Sequence, residues 1–328
     1  MNIRYRHVGA LLALVLAACA DGSGRHELRL GHDQTNDHPY DLAADTFAAR
    51  VARATDGQLT IRVYPAAQLG DSPEQIEGLR LGTLDIALAA FSHASQFCPE
   101  FGLFGAPFLF ESDAHFAAVF DGDIGDTLEQ ACRDRYSVRL LSTLTSGYRI
   151  LFNGRRPVRS AADLRGLKIR VMGGEADALT WQAFGAIPAP MPYSEVYSAL
   201  QAGVIDGAEN EPASILTNRF YEAAGFIAET RHLVLPMGLF ISDRTLARLS
   251  ETDRAILRER ARHAAEWERT LMAERNRDAL AEMQDRFGVR VSELDVTELR
   301  ERGRPVQDRV AETLELRDLL AKVRAAGG

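Results

Sequence analysis

With 328 residues, the chain is long enough for two domains or one large one. Its formal net charge of −8 argues against nucleic acid or an anionic membrane surface as a partner. Lys168 and Lys322 are its only lysines, so a lone arginine is often just a solvated cation, and position has to carry any argument about charge.

The N-terminus reads as a targeting segment. Arg4 and Arg6 precede an apolar run from Val8 to Ala18, too short for a transmembrane helix and of the form of a secretory signal peptide. Leu16-Ala17-Ala18-Cys19 has the form of a bacterial lipoprotein cleavage box, with Cys19 as the acylated first residue of a periplasmic chain; ordinary cleavage after Ala20 is the other reading. Losing both arginines takes the charge to −10 and leaves about 308 residues. In an oxidising compartment Cys98 and Cys132 either form a disulfide or stay as two half-buried thiols.

From there strands and helices alternate. Glu27–Leu30 predicts a strand, and His38-Pro39 opens a helix striped by Ala43, Phe47 and Val51 and stopped at Asp56-Gly57. Leu59–Tyr64 is a strand, Ser72-Pro73-Glu74-Gln75 a capping-box start for a helix to Gly82, and Leu84–Ala89 a short apolar strand. This alternation argues an α/β domain with a largely parallel sheet. The Phe-rich stretch Phe97–Phe110 reads as loop packing on a core, with a cleft lining as the alternative. Helical segments to Tyr136, a strand at Val138–Thr145 and a second α/β series from Tyr148 to about Ala228 follow, joined by short crossings. Ser250 then caps a helical pattern without Pro or Gly to Phe287, roughly 55 Å long. Its stripe of Leu257, Ala261, Ala264, Trp267 and Leu271 fades and resumes at Ala279, Met283 and Phe287, as in a helix crossing between domains, or in a kinked or divided one.

Motifs for metal, acyl or phosphoryl chemistry are missing: the sequence has no HExxH, GxSxG, P-loop or CxxC pair. His26-Glu27 and His263 lack a second ligand at metal spacing. Gly173-Gly174 is a weak phosphate signal, and Asp121-Gly122-Asp123 reads as a turn rather than a calcium loop. No cofactor is expected.

The strongest chemical signal lies between Gly147 and Pro212. Arg149 and Arg170 sit inside short β-type runs with no acidic residue at the matching positions, and a buried cation costs several kcal/mol unless an anion meets it. Arg170 ends a strand, where ligands of open α/β sheets bind, and its planar fork suits a carboxylate. Asn210 offers a donor and an acceptor near a turn. The structural alternatives are an Arg170 bridge to Glu175 or Glu195 and an Asn210 helix cap.

The segments LGHDQTNDHPYDLAADTFAARV, GQLTIRVYPAAQLGD, GLRLGTLDIAL, APFLF, ADLRGLKIRV and PMPYSEVYSALQAGVIDGAEN resemble, in order, those of TRAP-transporter solute-binding proteins of the DctP family. The resemblance implies a two-lobed, type II periplasmic-binding-protein-like α/β fold with mixed sheets and a long interdomain helix. Residues 26–147 plus about 233–270 would form one lobe, and 148–232 plus about 271–328 the other. It also implies that Arg170 clamps a ligand carboxylate, that Arg149 and Asn210 assist, and that a monomer delivers a small organic anion to membrane permease subunits. The first lobe would supply specificity through His38, Glu77 and Ser92. The sialic-acid branch carries a Glu in the turn after the third strand, where this chain reads Ala89-Ala90-Phe91-Ser92. A sugar acid such as a uronate is therefore favoured, a C4-dicarboxylate next. A sensor subunit docking on a receptor and an exported sugar-acid enzyme are the alternatives.

Overall fold

The computed structural model describes residues 26–327, without the side chains of Cys132, Asp134 and Arg135. The signal segment and Cys19 lie outside the described residues. Strand β1 (His26–Gly31) leads to α1 (Pro39–Ala54), whose first turn His38 caps by accepting from the Tyr40 amide through Nδ1 at 3.2 Å. Strand β2 (Leu59–Tyr64) and α2 (Ser72–Leu81) follow. The expected capping box at Ser72 does not form. Asp71 occupies the cap position, and the Ser72 hydroxyl instead donates to Asp33 Oδ2 at 2.8 Å. The Asp33 carboxylate, brought close only by folding, outcompetes the local amide.

β3 (Ile86–Ala90) runs directly into the single turn α3 (Phe91–Ala94) and a 3₁₀ segment, Pro99–Gly105. The phenylalanines here are core rather than cleft: Phe91, Phe101 and Phe104 are buried with Phe120 and Phe240 in one cluster. Cys98 is disulfide-bonded. Its expected partner Cys132 has its side chain outside the described set. α4 (Asp113–Phe120) and α5 (Asp123–Arg135) complete this half.

The expected break near Thr145 is a kink inside one long strand, β4 (Val138–Asn153), where Gly147 takes φ +64° and the pairing register shifts. β5 (Lys168–Val171), α6 (Glu175–Phe184), β6 (Ile187–Pro190), α7 (Val196–Gln201), β7 (Gly207–Asn210) and α8 (Pro212–Thr217) build the second half. β8 (Phe226–Ser242) then returns antiparallel to β4 along nearly its whole length. The halves are therefore not joined by short crossings. Two continuous strands run through both, and the mixed sheet orders β2-β1-β3-β8-β4-β7-β5-β6, with the later β9 (Arg290–Ser292) pairing with β8.

After α9 (Asp243–Arg248) comes one unbroken helix, α10 (Glu251–Phe287), capped by Ser250 and stopped by Gly288 at φ +66°. Leu257, Ala261, Ala264 and Met272 enter the first half's core and Met283 the second's, so the helix does cross between them. Trp267, expected on its apolar stripe, is solvent-exposed, because Glu268 occupies the buried face there. The C-terminal helices α11 (Thr297–Thr313) and α12 (Arg317–Ala325) divide between the halves. Leu299 packs in the second core, whereas Val310, Leu320 and Val323 pack with the first half's phenylalanines.

Candidate functional site

The strand ends of both halves face one another across a cavity of about 350 Å³, its open mouth included. Arg149, Arg170 and Asn210 line it from the second half. Their strands are neighbours: Ile150 of β4 pairs with Asn210 of β7, and Ala208 of β7 with Arg170 of β5.

The two arginines are not equivalent. Arg149 is already paired: Nε donates to Glu209 Oε2 at 2.5 Å, Nη1 to Glu211 Oε2 at 2.8 Å, and Nη2 to both Oε1 and the carbonyl of Glu209 at 2.9 and 2.8 Å. Burial works against its charge, but Glu209 and then Glu211 outweigh burial and hold the guanidinium above its ordinary pKa. The expectation of two unmatched cations therefore fails for Arg149. Its acids come from β7 and the residue after it, sixty positions along the chain and beyond the reach of a strand-by-strand reading.

Arg170 differs. It is 2% exposed and makes no ion pair among the described residues, with neither Glu175 nor Glu195. Nε and Nη2 both donate to the Met191 carbonyl, at 3.1 and 3.0 Å, which fixes the plane of the fork. The guanidinium carbon lies 5.7 Å from the centre of the Tyr193 ring. Burial depresses its pKa, as expected for a desolvated cation awaiting a counter-charge.

Asn210 donates to Tyr193 Oη at 3.2 Å, and Asn218 does so at 3.0 Å. With both lone-pair positions used, the Tyr193 hydroxyl donates across the cleft to Gln34 Oε1 at 3.2 Å. The first half contributes Asp33, Gln34, Tyr40 and His93 to the cavity wall. Burial, then Arg170, pushes His93 down to about 4, so the imidazole is neutral at physiological pH. Asp33 is raised by burial.

The three expected first-half contacts fall elsewhere. Glu77 is on the outer face of α2, paired with Arg80 through Oε1 at 2.6 Å, because the helix turns that position to solvent. His38 is fully buried off the cavity wall; beyond capping α1, its Nε2 lies 3.1 Å from Ser214 Oγ of α8 and ties the halves together. Ser92 sits behind the wall, its hydroxyl 3.7 Å from Met172 Sδ. Asp33, Gln34 and His93 escaped the sequence reading, although each follows a strand end, where the α/β rule places ligands. Tyr193 and Glu211 follow the ends of β6 and β7 in the same way.

A model of the DctP family, bacterial extracellular solute-binding protein family 7, matches residues 30–313. The chain belongs to the DctP family. It is 34% identical over 291 residues to a solute-binding protein of Chromohalobacter salexigens, covering 88% of this chain and 86% of that one. It is 30% identical to the 2,3-diketo-L-gulonate-binding periplasmic protein YiaO of Escherichia coli, with 87% of each covered. Among solved structures, a TRAP periplasmic solute-binding protein of Chromohalobacter salexigens with bound D-glucuronate superposes with a TM-score of 0.87 at 33% identity, covering 91% of this chain and 99% of that one. One from a Bradyrhizobium species in complex with D-galacturonate gives 0.87 at 32%, covering 92% and 100%. This DctP-family chain is thus a two-lobed, type II periplasmic solute-binding protein of the TRAP-transporter kind. Among its described residues no helix is long and apolar enough to cross a membrane.

Proposed function

We propose that this protein captures a uronate or a close sugar-acid relative by lobe closure, with Arg170 as the carboxylate clamp. The observation that carries the reading is a buried guanidinium with no ion pair among the described residues, facing a cavity between two lobes. Arg149 orients rather than clamps: Glu209 and Glu211 already neutralise it, and it holds β4 and β7 so that Asn210 and Arg170 share one wall.

A single unmatched cation favours one carboxylate over two. The opposite wall presents Asp33, Gln34 and His93, which suit hydroxyls, and Asp33 repels a second acid group. That pattern matches hydroxylated monoacids better than C4-dicarboxylates, and the solved relatives named above hold glucuronate and galacturonate. Closure would be kept by contacts between the lobes, Gln34 to Tyr193, His38 to Ser214 and Asp71 to Ser194. The ligand would shift an open population towards this closed one and leave unchanged, with no chemical step.

A thermal-shift screen of organic acids followed by calorimetry tests this, since a ligand specific to the folded state raises stability with its affinity. D-Glucuronate or D-galacturonate should raise the melting temperature and be recovered intact. A stronger response to succinate than to either uronate would overturn the single-carboxylate reading.

A further inference from the structure

Behind the wall that Ser92 forms lies a second cavity, with an empty volume of about 690 Å³, twice that of the Arg170 site. The same two segments line both. Ala90 and His93 face the Arg170 site while Ser92, between them, faces the second; Met172 faces the first while Gly173 and Gly174 face the second. The partition between them includes the 3.7 Å contact of Ser92 Oγ with Met172 Sδ. A methionine thioether on three rotatable bonds is readily displaced.

The second cavity has its own chemistry. No Lys, Arg or His lines it, whereas Glu175 and Asp177 do, so it rejects a further anion. Asp177 is 5% exposed, and its Oδ2 has no hydrogen-bond partner among the described residues. Gly102 and Gly105 of the 3₁₀ segment face Gly173 and Gly174 across it. A Cβ built at Gly173 would meet nothing within 4 Å, so that wall is bare backbone beside open space. Glycine walls let a flat ring approach the main chain, and a buried carboxyl with one oxygen free of partners suits a hydroxyl donor.

We propose that this cavity is a second sugar subsite. The protein takes acidic disaccharides, the uronate ring held at Arg170 and a neutral sugar ring filling the second cavity with its hydroxyls on Asp177. Met172 swings aside to join the two. This rests on the uronate reading of the Arg170 site, and it adds the size and the charge of the remainder of the ligand.

Calorimetry on the mature chain with four probes decides it: D-glucuronate, an aldobiuronic acid (glucuronate joined to a neutral hexose), a diuronate and a neutral disaccharide. The aldobiuronic acid should bind at least as tightly as glucuronate, the diuronate at least tenfold more weakly, and the neutral disaccharide not at all. Gly173→Phe fills the open space and should weaken the aldobiuronic acid at least thirtyfold while leaving glucuronate within about threefold. Asp177→Ala, which adds no bulk, should weaken the aldobiuronic acid alone, by about tenfold. Glucuronate binding without aldobiuronate binding in the unaltered protein would overturn the subsite, as would an aldobiuronate affinity indifferent to both substitutions. Absence of binding by both acids would instead refute the uronate reading, and the subsite with it.

Discussion

A guanidinium withdrawn from water needs a counter-charge, and the two arginines of the cleft meet that need differently. Arg170→Ala should abolish uronate binding, and Arg170→Lys should recover little, because an ammonium cannot make two parallel hydrogen bonds to a carboxylate. The loss expected is several of the roughly 8 kcal/mol that a micromolar ligand represents; near-normal calorimetric affinity in the lysine variant would sink the clamp. Arg149→Ala is a different experiment. It removes the arginine that neutralises the buried Glu209 and Glu211 carboxylates, so it should cost folding stability, about 3–5 kcal/mol by denaturant titration, before binding can be measured.

Asp177 makes the pH dependence legible at the same scale. Burial, then Glu209, raises it from 3.8 to about 7. The folded state therefore holds a proton that the unfolded chain releases near 4, and stability falls as pH rises between about 4 and 7. Asp177→Asn carries no charge at any pH. It should match the parent near pH 4 and exceed it near pH 8 by on the order of 2–4 kcal/mol, read from melting curves at both pH values. Equal gains at both would assign the effect to packing rather than to the proton.

Among elements, the kink in β4 and the middle of α10 act together. Asn276 of α10 donates to the Ser146 carbonyl and accepts from the Ala213 amide, both at 3.0 Å, joining the kink to α8. Gly147 leaves the room: a Cβ there would lie 2.7 Å from Asn276 Nδ2, on a backbone already at φ +64°. Gly147→Ala should therefore lower stability by about 1–3 kcal/mol, with a matching fall in melting temperature. A neutral result would mean that the kink relaxes freely. The long helix itself was readable, since Ser250 and Gly288 bracket a stretch without a breaker. The continuity of β4 and β8 was not: a turn-forming Ser146-Gly147 looks the same in sequence whether the chain reverses or merely bends, and only pairing with the opposite strand decides.

For the whole molecule, the observed state has the lobes in contact. Ser194 Oγ donates to Asp71 Oδ2 at 2.7 Å and neither residue lines the cavity, so this contact belongs to closure rather than to ligand recognition. Asp71→Ala should raise the dissociation rate of a uronate by roughly fivefold, the effect of about 1 kcal/mol, with little change in the association rate. Small-angle scattering should show a smaller radius of gyration on ligand addition. Unchanged scattering with tight binding would argue against capture by closure.

The sequence alone determined the α/β alternation, the long helix and the family. Each follows from local periodicity, capping or ordered motifs. Tertiary structure alone decided that Arg149 is already neutralised, that Glu77 faces solvent and that His38 ties the lobes. It also placed His93, Asp33 and Gln34 opposite the clamp. The physical reason is the same in each case: charge pairing and helix facing depend on partners far along the chain, and strand register sets those distances. The cleft is defined by what each wall brings to the other.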